Sequence, residues 1–183
     1  MNNNNIEIVD NLLTAEEYKK FRSDALGRGH TMNWHPGQID PPEETDLAPY
    51  ENIQMVHNFI ISKEDYGIER YFENMSTKTC PILFPLIDRM DVRSWVRVKG
   101  NIRHRTESFV KGLFHTDFPT PRYDGLTTSI FYANTTDGYT EFEDGTIVEG
   151  IGNRLITFPY HYKHRGTGCT DQAFRMVINF NYF

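Results

Sequence analysis

The stretch Trp95-Val96-Arg97-Val98-Lys99-Gly100-Asn101-Ile102-Arg103 decides the fold. Successive side chains of an extended backbone point to opposite faces, and here Val96, Val98 and Ile102 alternate with Arg97, Lys99, Asn101 and Arg103. The segment reads as a strand with one apolar and one polar face. The same texture continues to the end of the chain, predicting further strands at 107–115, 126–134, 139–143, 146–150, 154–160 and 172–182. Between two of these, Glu143-Asp144-Gly145-Thr146 carries the aspartate–glycine chemistry of a tight hairpin turn.

Upstream of residue 94 the pattern is different. Thr14 and Glu17 have capping-box spacing, and Leu13, Tyr18, Phe21 and Ala25 then recur at roughly helical spacing. Shorter helices are predicted at 64–75 and 80–90, the second carrying Ile82, Leu83, Leu86, Ile87 and Met90. Residues 29–57, with Pro36-Gly37, Pro41-Pro42 and Pro49, read as a long loop of the kind that usually serves a function. The expected class is mainly β (α+β), a β-sandwich or jelly roll of antiparallel strands with N-terminal helices packed on one sheet. At 183 residues the chain fits one domain, 1–183, in which 1–93 form helical and loop support and 94–183 the β core.

Hydrophobic residues at 38% and charged residues at 24% exclude a disordered chain. No apolar run approaches the roughly 20 residues of a membrane span, and Met1-Asn2-Asn3-Asn4-Asn5 shows neither a basic nor an apolar leader region. Cys80 and Cys169 lie far apart and read as free thiols, which with the missing leader leads to the expectation of a cytoplasmic protein. The net charge of −6 argues against wholesale nucleic-acid binding. It hides a segregation, however. Asp40, Glu43, Glu44, Asp46 and Glu51 form an acidic segment, while Arg93, Arg97, Lys99, Arg103, Arg105 and Lys111 are opposed only by Glu107. The basic strip is either a solvated face or a lining that draws an anion into a pocket, and the pattern leaves both open.

Chemistry concentrates in two places. His115-Thr116-Asp117 puts an imidazole and a carboxylate two residues apart, so on an extended backbone both reach the same point. Alone this pair is common; a second histidine would complete a facial triad of two histidines and one carboxylate. Candidates stand in Phe158-Pro159-Tyr160-His161-Tyr162-Lys163-His164-Arg165-Gly166, and Arg175 follows on the next strand, its planar fork suited to a carboxylate. His161 and His164 compete for the position.

These motifs carry a resemblance. Residues 94–183 resemble the core of the 2-oxoglutarate/iron(II) oxygenase superfamily, prolyl-hydroxylase-like branch, through His115-x-Asp117, through Ile130-Phe131-Tyr132-Ala133-Asn134 continuing to Gly138-Tyr139-Thr140-Glu141-Phe142, and through His164-Arg165-Gly166 with Arg175. With Asn33-Trp34 and the ending Asn179-Phe180-Asn181-Tyr182-Phe183, the whole chain is further similar to small oxygenases encoded by marine bacteriophages, which would place it in the host cytoplasm. The resemblance implies a double-stranded β-helix, with Fe(II), 2-oxoglutarate and O2 as cofactor and cosubstrates. It implies His115, Asp117 and His164 as iron ligands, Arg175 and Tyr132 on the far carboxylate of 2-oxoglutarate, Asn101 as a weaker match to an upstream cosubstrate contact, and a dioxygenase activity. Asn179 shares a strand face with Arg175 by alternation and joins the pocket candidates. Gly138-Tyr139 departs from the usual Gly-Gly, a change expected at the pocket rim. The leading expectation for the partner is a protein or peptide side chain, proline among the candidates. A nucleic-acid or small-molecule oxygenase and a non-catalytic cupin-like binding module are the alternatives, and the sequence sets no oligomeric state.

Overall fold

The computed structural model describes residues 5–26, 35–38, 53–61, 80–118 and 125–183. In chain order its elements are β1 (Glu7–Val9), α1 (Ala15–Leu26), β2 (His35–Gln38), β3 (Ile53–Ile61), a 3-10 turn (Cys80–Ile82), α2 (Phe84–Ile87), β4 (Trp95–His104), β5 (Thr127–Tyr132), β6 (Tyr139–Phe142), β7 (Ile147–Glu149), β8 (Arg154–Pro159), β9 (His164–Gly166) and β10 (Phe174–Tyr182). A large sheet runs β1-β8-β5-β10-β4-β3-β2 and a small one β7-β6-β9, with antiparallel pairing throughout. Isolated bridges Lys111↔Thr167 and His115↔His164 bring the segment after β4 along the open edge of β9. The fold is a jelly roll.

Alternation along the central strands builds two cores. Phe131, Ala133, Leu155, Met176, Ile178, Phe180 and Val98 point to the outer face of the large sheet and pack with Leu13, Phe21 and Ala25 around α1 and with Leu83 and Leu86 around α2. Ile130, Tyr132, Ile156, Phe158 and Val177 point the other way, against Phe142 and Val148 of the small sheet. The helices therefore cover one face of the large sheet, as the patterning predicts. Thr14 and Glu17 form the expected reciprocal cap, Thr14 N–H donating to Glu17 Oε2 (2.9 Å) and Glu17 N–H to Thr14 Oγ1 (3.3 Å). The Arg89 guanidinium, with the Thr14 donors, holds the Glu17 carboxyl down at about 2. The Glu143–Thr146 turn is present too, with Gly145 at φ +88°, a conformation glycine adopts without strain.

Three local expectations need correction. Residues 29–57 were expected as a loop, yet 35–38 and 53–61 are strands that extend the large sheet beyond β4. Their pattern is weak because their stability comes from the neighbouring ladder and not from local propensity. The helix expected at 80–90 shrinks to a 3-10 turn and one α-helical turn: Pro81 and Pro85 bring no backbone N–H, so neither can donate to a longer helical ladder. The strand expected at 107–115 is reduced to bridges. The helix expected at 64–75 lies outside the described residues. Phe59 is a core residue.

Phe131 ties α1 to the large sheet. It is fully buried, and its ring meets that of Phe21 edge to face at 5.3 Å. Phe131→Ala is expected to remove about 3–5 kcal/mol of unfolding free energy, the usual result of emptying an aromatic site in a packed core. Urea unfolding measures it, and a loss below about 1 kcal/mol would contradict this packing.

Candidate active site

His115 and His164 are brought together by backbone pairing. His115 N–H donates to His164 O (3.1 Å) and His164 N–H donates back to His115 O (2.9 Å). Residues that exchange both bonds across an antiparallel pair project their side chains to the same face. Their ring centroids stand 5.0 Å apart, and Asp117, two residues past His115, reaches the same point. One ligand atom from each of His115, Asp117 and His164 can be chosen so that all lie within 4.8 Å of one another. Nδ1 of His115 lies 3.1 Å from Leu113 O and Nδ1 of His164 lies 3.1 Å from Tyr162 O. A protonated Nδ1 donating to each carbonyl leaves both Nε2 lone pairs for a metal, the arrangement that orients metal-binding histidines. His164 is buried, and burial together with His115 pushes its imidazole below the ordinary value against the pull of Asp117. It is thus kept neutral, as a ligand must be. His161 is exposed, packed between the rings of Tyr160 and Tyr162 and outside the cluster.

Asp117 is gripped from behind. Arg97 Nη2 lies 2.8 Å from Oδ1 as a charge contact bent away from hydrogen-bond alignment, and Asn181 Nδ2 donates to Oδ2 at 2.8 Å. Arg97 Nε donates to Asn181 Oδ1 at 3.1 Å, closing a triangle, and Asn181 also reaches Thr128 Oγ1 at 3.0 Å. Burial alone would raise the Asp117 carboxyl. Arg97 first, then His164, Lys99 and the Asn181 N–H, outweigh it and hold the group well below the usual carboxylate range. Arg97→Met leaves this carboxylate buried without its cation. It is expected to weaken iron binding about 10–100-fold and to lower stability by about 3–5 kcal/mol. Anaerobic iron titration and urea unfolding read the two effects, and an unchanged iron affinity would rule out the orienting role.

Register between β4 and β10 arranges the rest. Four cross-strand pairs share the inner face, Arg97↔Asn181, Lys99↔Asn179, Asn101↔Val177 and Arg103↔Arg175, and the last three line the cavity. Each pair is roughly 7 Å from the next, two residues along a strand. The first grips Asp117; the last sets two arginines at the other end. Arg103 is buried and donates Nη1 to Gly166 O at 2.8 Å. Arg175 is buried with Nη2 3.3 Å from Thr140 Oγ1, its guanidinium carbon 5.4 Å from the Tyr132 ring centroid, and Nε without a hydrogen-bond partner among the described residues. Tyr132 stands behind this group, fully buried, its hydroxyl donating to Thr140 Oγ1 at 2.7 Å. A Cβ at Gly138 would run into the Gly168 carbonyl and Arg175 Cδ, so this glycine makes room for the arginine. Between the two ends lies a cleft of about 620 Å³ of non-atom space, its open mouth included.

The basic strip is therefore split. Arg97 and Arg103 are buried and Lys99 lines the cleft, while Arg105 is exposed. Burial, with Arg97 nearby, brings the Lys99 ammonium down to about 8, Asp117 pulling the other way. Asn101 and Asn179 both line the cleft, and the Oδ1 of each is buried without a hydrogen-bond partner among the described residues. Tyr139 faces away from the cleft, its ring 5.5 Å from Phe109 and under Lys111 Nζ, so the Gly138-Tyr139 departure does not reshape the rim. Sequence reasoning missed Asn181, Thr140 and the Arg97–Asp117 pair. Alternation from Arg175 through Asn179 would have put Asn181 on the same face; nothing local indicated the pair.

No family model matches the chain, and no curated protein matches it in sequence. Solved structures do match its fold. A prolyl hydroxylase from Trichoplax adhaerens, in complex with a hypoxia inducible factor oxygen degradation domain peptide fragment, aligns over 100% of this chain and 84% of its own with TM-score 0.60 and 16% identity. An oxidoreductase of the 2OG-Fe(II) oxygenase family from Burkholderia pseudomallei aligns over 97% and 84% with TM-score 0.62 and 11% identity. A non-heme alpha ketoglutarate dependent carbocyclase from nogalamycin biosynthesis aligns over 97% and 79% with TM-score 0.65 and 10% identity. The jelly roll is thus the fold of 2-oxoglutarate/iron(II) oxygenases. No helix among the described residues is long and apolar enough to cross a membrane.

Proposed function

We propose that the chain, taken whole as one catalytic domain, is an Fe(II)- and 2-oxoglutarate-dependent dioxygenase that hydroxylates a C–H bond of a protein or peptide side chain, proline among the candidates. The observation that carries this is a two-ended cleft, with the His115–Asp117–His164 cluster at one end and Arg175 at the other. In the β6–β9 ladder, Phe142↔His164 and Thr140↔Gly166 are successive inward pairs, so the end bearing Thr140 is roughly 7 Å from the end bearing His164. An extended five-carbon diacid has a comparable length.

The donor set fits iron: two imidazoles and a carboxylate form the facial triad of non-heme Fe(II) oxygenases. Bound iron would supply the activation of dioxygen. One oxygen atom enters the succinate formed as 2-oxoglutarate loses carbon dioxide, and the other converts C–H to C–OH. This chain's residues do the positioning. Arg175 offers its fork to the far carboxylate of the cosubstrate. Thr140 Oγ1 already accepts from Tyr132 and Arg175, so its own proton is the donor left for that carboxylate. Tyr132 acts there through Thr140, while Asn101 and Asn179 line the path between the ends. The resemblance to phage-encoded oxygenases supports the host cytoplasm as the working compartment, and the peptide in the Trichoplax neighbour's complex supports a peptide partner.

Burial of Arg97 and Arg103 leaves β4 without a continuous basic face for a phosphate backbone, which disfavours a nucleic-acid substrate. The triad, together with a buried Arg175 Nε that has no partner among the described residues, disfavours a non-catalytic module. An anaerobic titration tests the proposal: iron-loaded protein should develop a visible charge-transfer band on adding 2-oxoglutarate. If no such band forms, the oxygenase reading fails.

A further inference from the structure

Lys99 is left over when the charges of the cleft are paired. Arg97 faces Asp117, and Arg165 pairs with Glu141 at 3.0 Å. Arg103 donates to the Gly166 carbonyl, and Arg175 is assigned above to the far carboxylate of the cosubstrate. The Lys99 side chain lines the cleft with no hydrogen-bond or ion-pair partner among the described residues. By register it stands one pair away from the Arg97–Asn181 grip on Asp117 and two pairs away from Arg103–Arg175. It is therefore at the metal end, clear of the far-carboxylate site.

Its surroundings are polar and equally uncommitted. Asn179 is directly opposite Lys99 on β10, and Asn101 is the next inward residue on β4. Neither amide makes a side-chain hydrogen bond among the described residues, and the Oδ1 of each is buried. A buried polar atom without a partner costs free energy that a ligand group can recover, and a half-buried ammonium whose nearby carboxylate, Asp117, is already held by Arg97 asks for a further anion. The three side chains together form a ledge that supplies one cation and two amides.

We propose that this ledge binds a carboxylate of the primary substrate, so that the carbon to be oxidised lies within a few atoms of that carboxylate. The inference rests on the oxygenase reading alone, not on its peptide partner, and makes the substrate acidic. One ammonium with two neutral amides matches a monoanion; a phosphate dianion would call for a second uncommitted cation or a cradle of backbone N–H groups. A carboxylate of this kind has two sources, an acidic side chain within a peptide or a free carboxylic acid such as an amino acid.

Calorimetry under argon separates them, using protein loaded with manganese in place of iron and saturated with 2-oxoglutarate. Two matched sets of probes are titrated: the common amino acids against their carboxamides, and capped peptides centred on Glu or Asp against the same peptides with Gln or Asn. At least one acid member should bind about tenfold or more tightly than its amide partner. Lys99→Met should abolish that preference and Lys99→Arg should keep part of it. Preference in the first set alone assigns a free acid, and in the second alone an acidic peptide. Equal binding of acids and amides, no binding in either set, or a preference that survives Lys99→Met overturns the proposal. So does a tenfold loss of 2-oxoglutarate affinity in Lys99→Met, which would assign Lys99 to the cosubstrate. With iron, a missing 2-oxoglutarate charge-transfer band in the unmodified protein is the separate failure, that of the oxygenase reading itself, and removes the basis of this proposal with it.

Discussion

His164→Ala is expected to abolish iron binding and, with it, all 2-oxoglutarate turnover, whereas His161→Ala keeps both. The two histidines are three positions apart and both follow Pro159, yet only His164 exchanges backbone hydrogen bonds with His115 and is buried beside Asp117. Losing one of three ligands should exceed the roughly 10–100-fold penalty of losing a residue that merely orients a ligand. Anaerobic iron titration of the two variants, read beside Arg97→Met, places them on one scale. The assignment fails if His161→Ala is the variant that loses iron.

The second large effect belongs to Arg175. Arg175→Met is expected to leave iron binding intact while raising the dissociation constant for 2-oxoglutarate about 30- to 3000-fold, the range for truncating one partner of a buried charge pair. Arg175→Lys should recover only part of the loss, because an ammonium cannot reproduce the planar fork and must still fit between Tyr132 and Gly138. The 2-oxoglutarate dependence of the charge-transfer band measures both variants. Unchanged affinity in Arg175→Met would transfer the far carboxylate to Arg103, which faces Arg175 across the β4–β10 ladder.

These expectations depend on a site that was partly legible in the chain. His115 and Asp117 converge because i and i+2 share a face of extended backbone, a local rule that needs no tertiary knowledge. Arg175, Val177 and Asn179 could be put on one face for the same reason, and the structure lines the cleft with all three. The strip on β4 was ambiguous. Alternation says that Arg97, Lys99, Asn101 and Arg103 share a face, but not whether that face meets water. The fold answered from two directions, Asp117 and Phe118 covering Arg97 and Gly166 of the small sheet accepting from Arg103, with Lys99 left in the cleft.

What the sequence determined by itself was therefore local: the strand texture from residue 94, the Thr14–Glu17 cap, the Asp144–Gly145 turn and the two-residue convergence of His115 and Asp117. Only the tertiary structure decided the backbone pairing of His164 with His115, the grip of Arg97 and Asn181 on Asp117, and the placing of β2 and β3 in the large sheet. The physical reason is register. Side-chain direction repeats every two residues along a strand, whereas which distant residue stands opposite is set by the ladder between strands. The Arg97–Asn181 contact joins residues 84 positions apart, a separation at which no local pattern signals a partner.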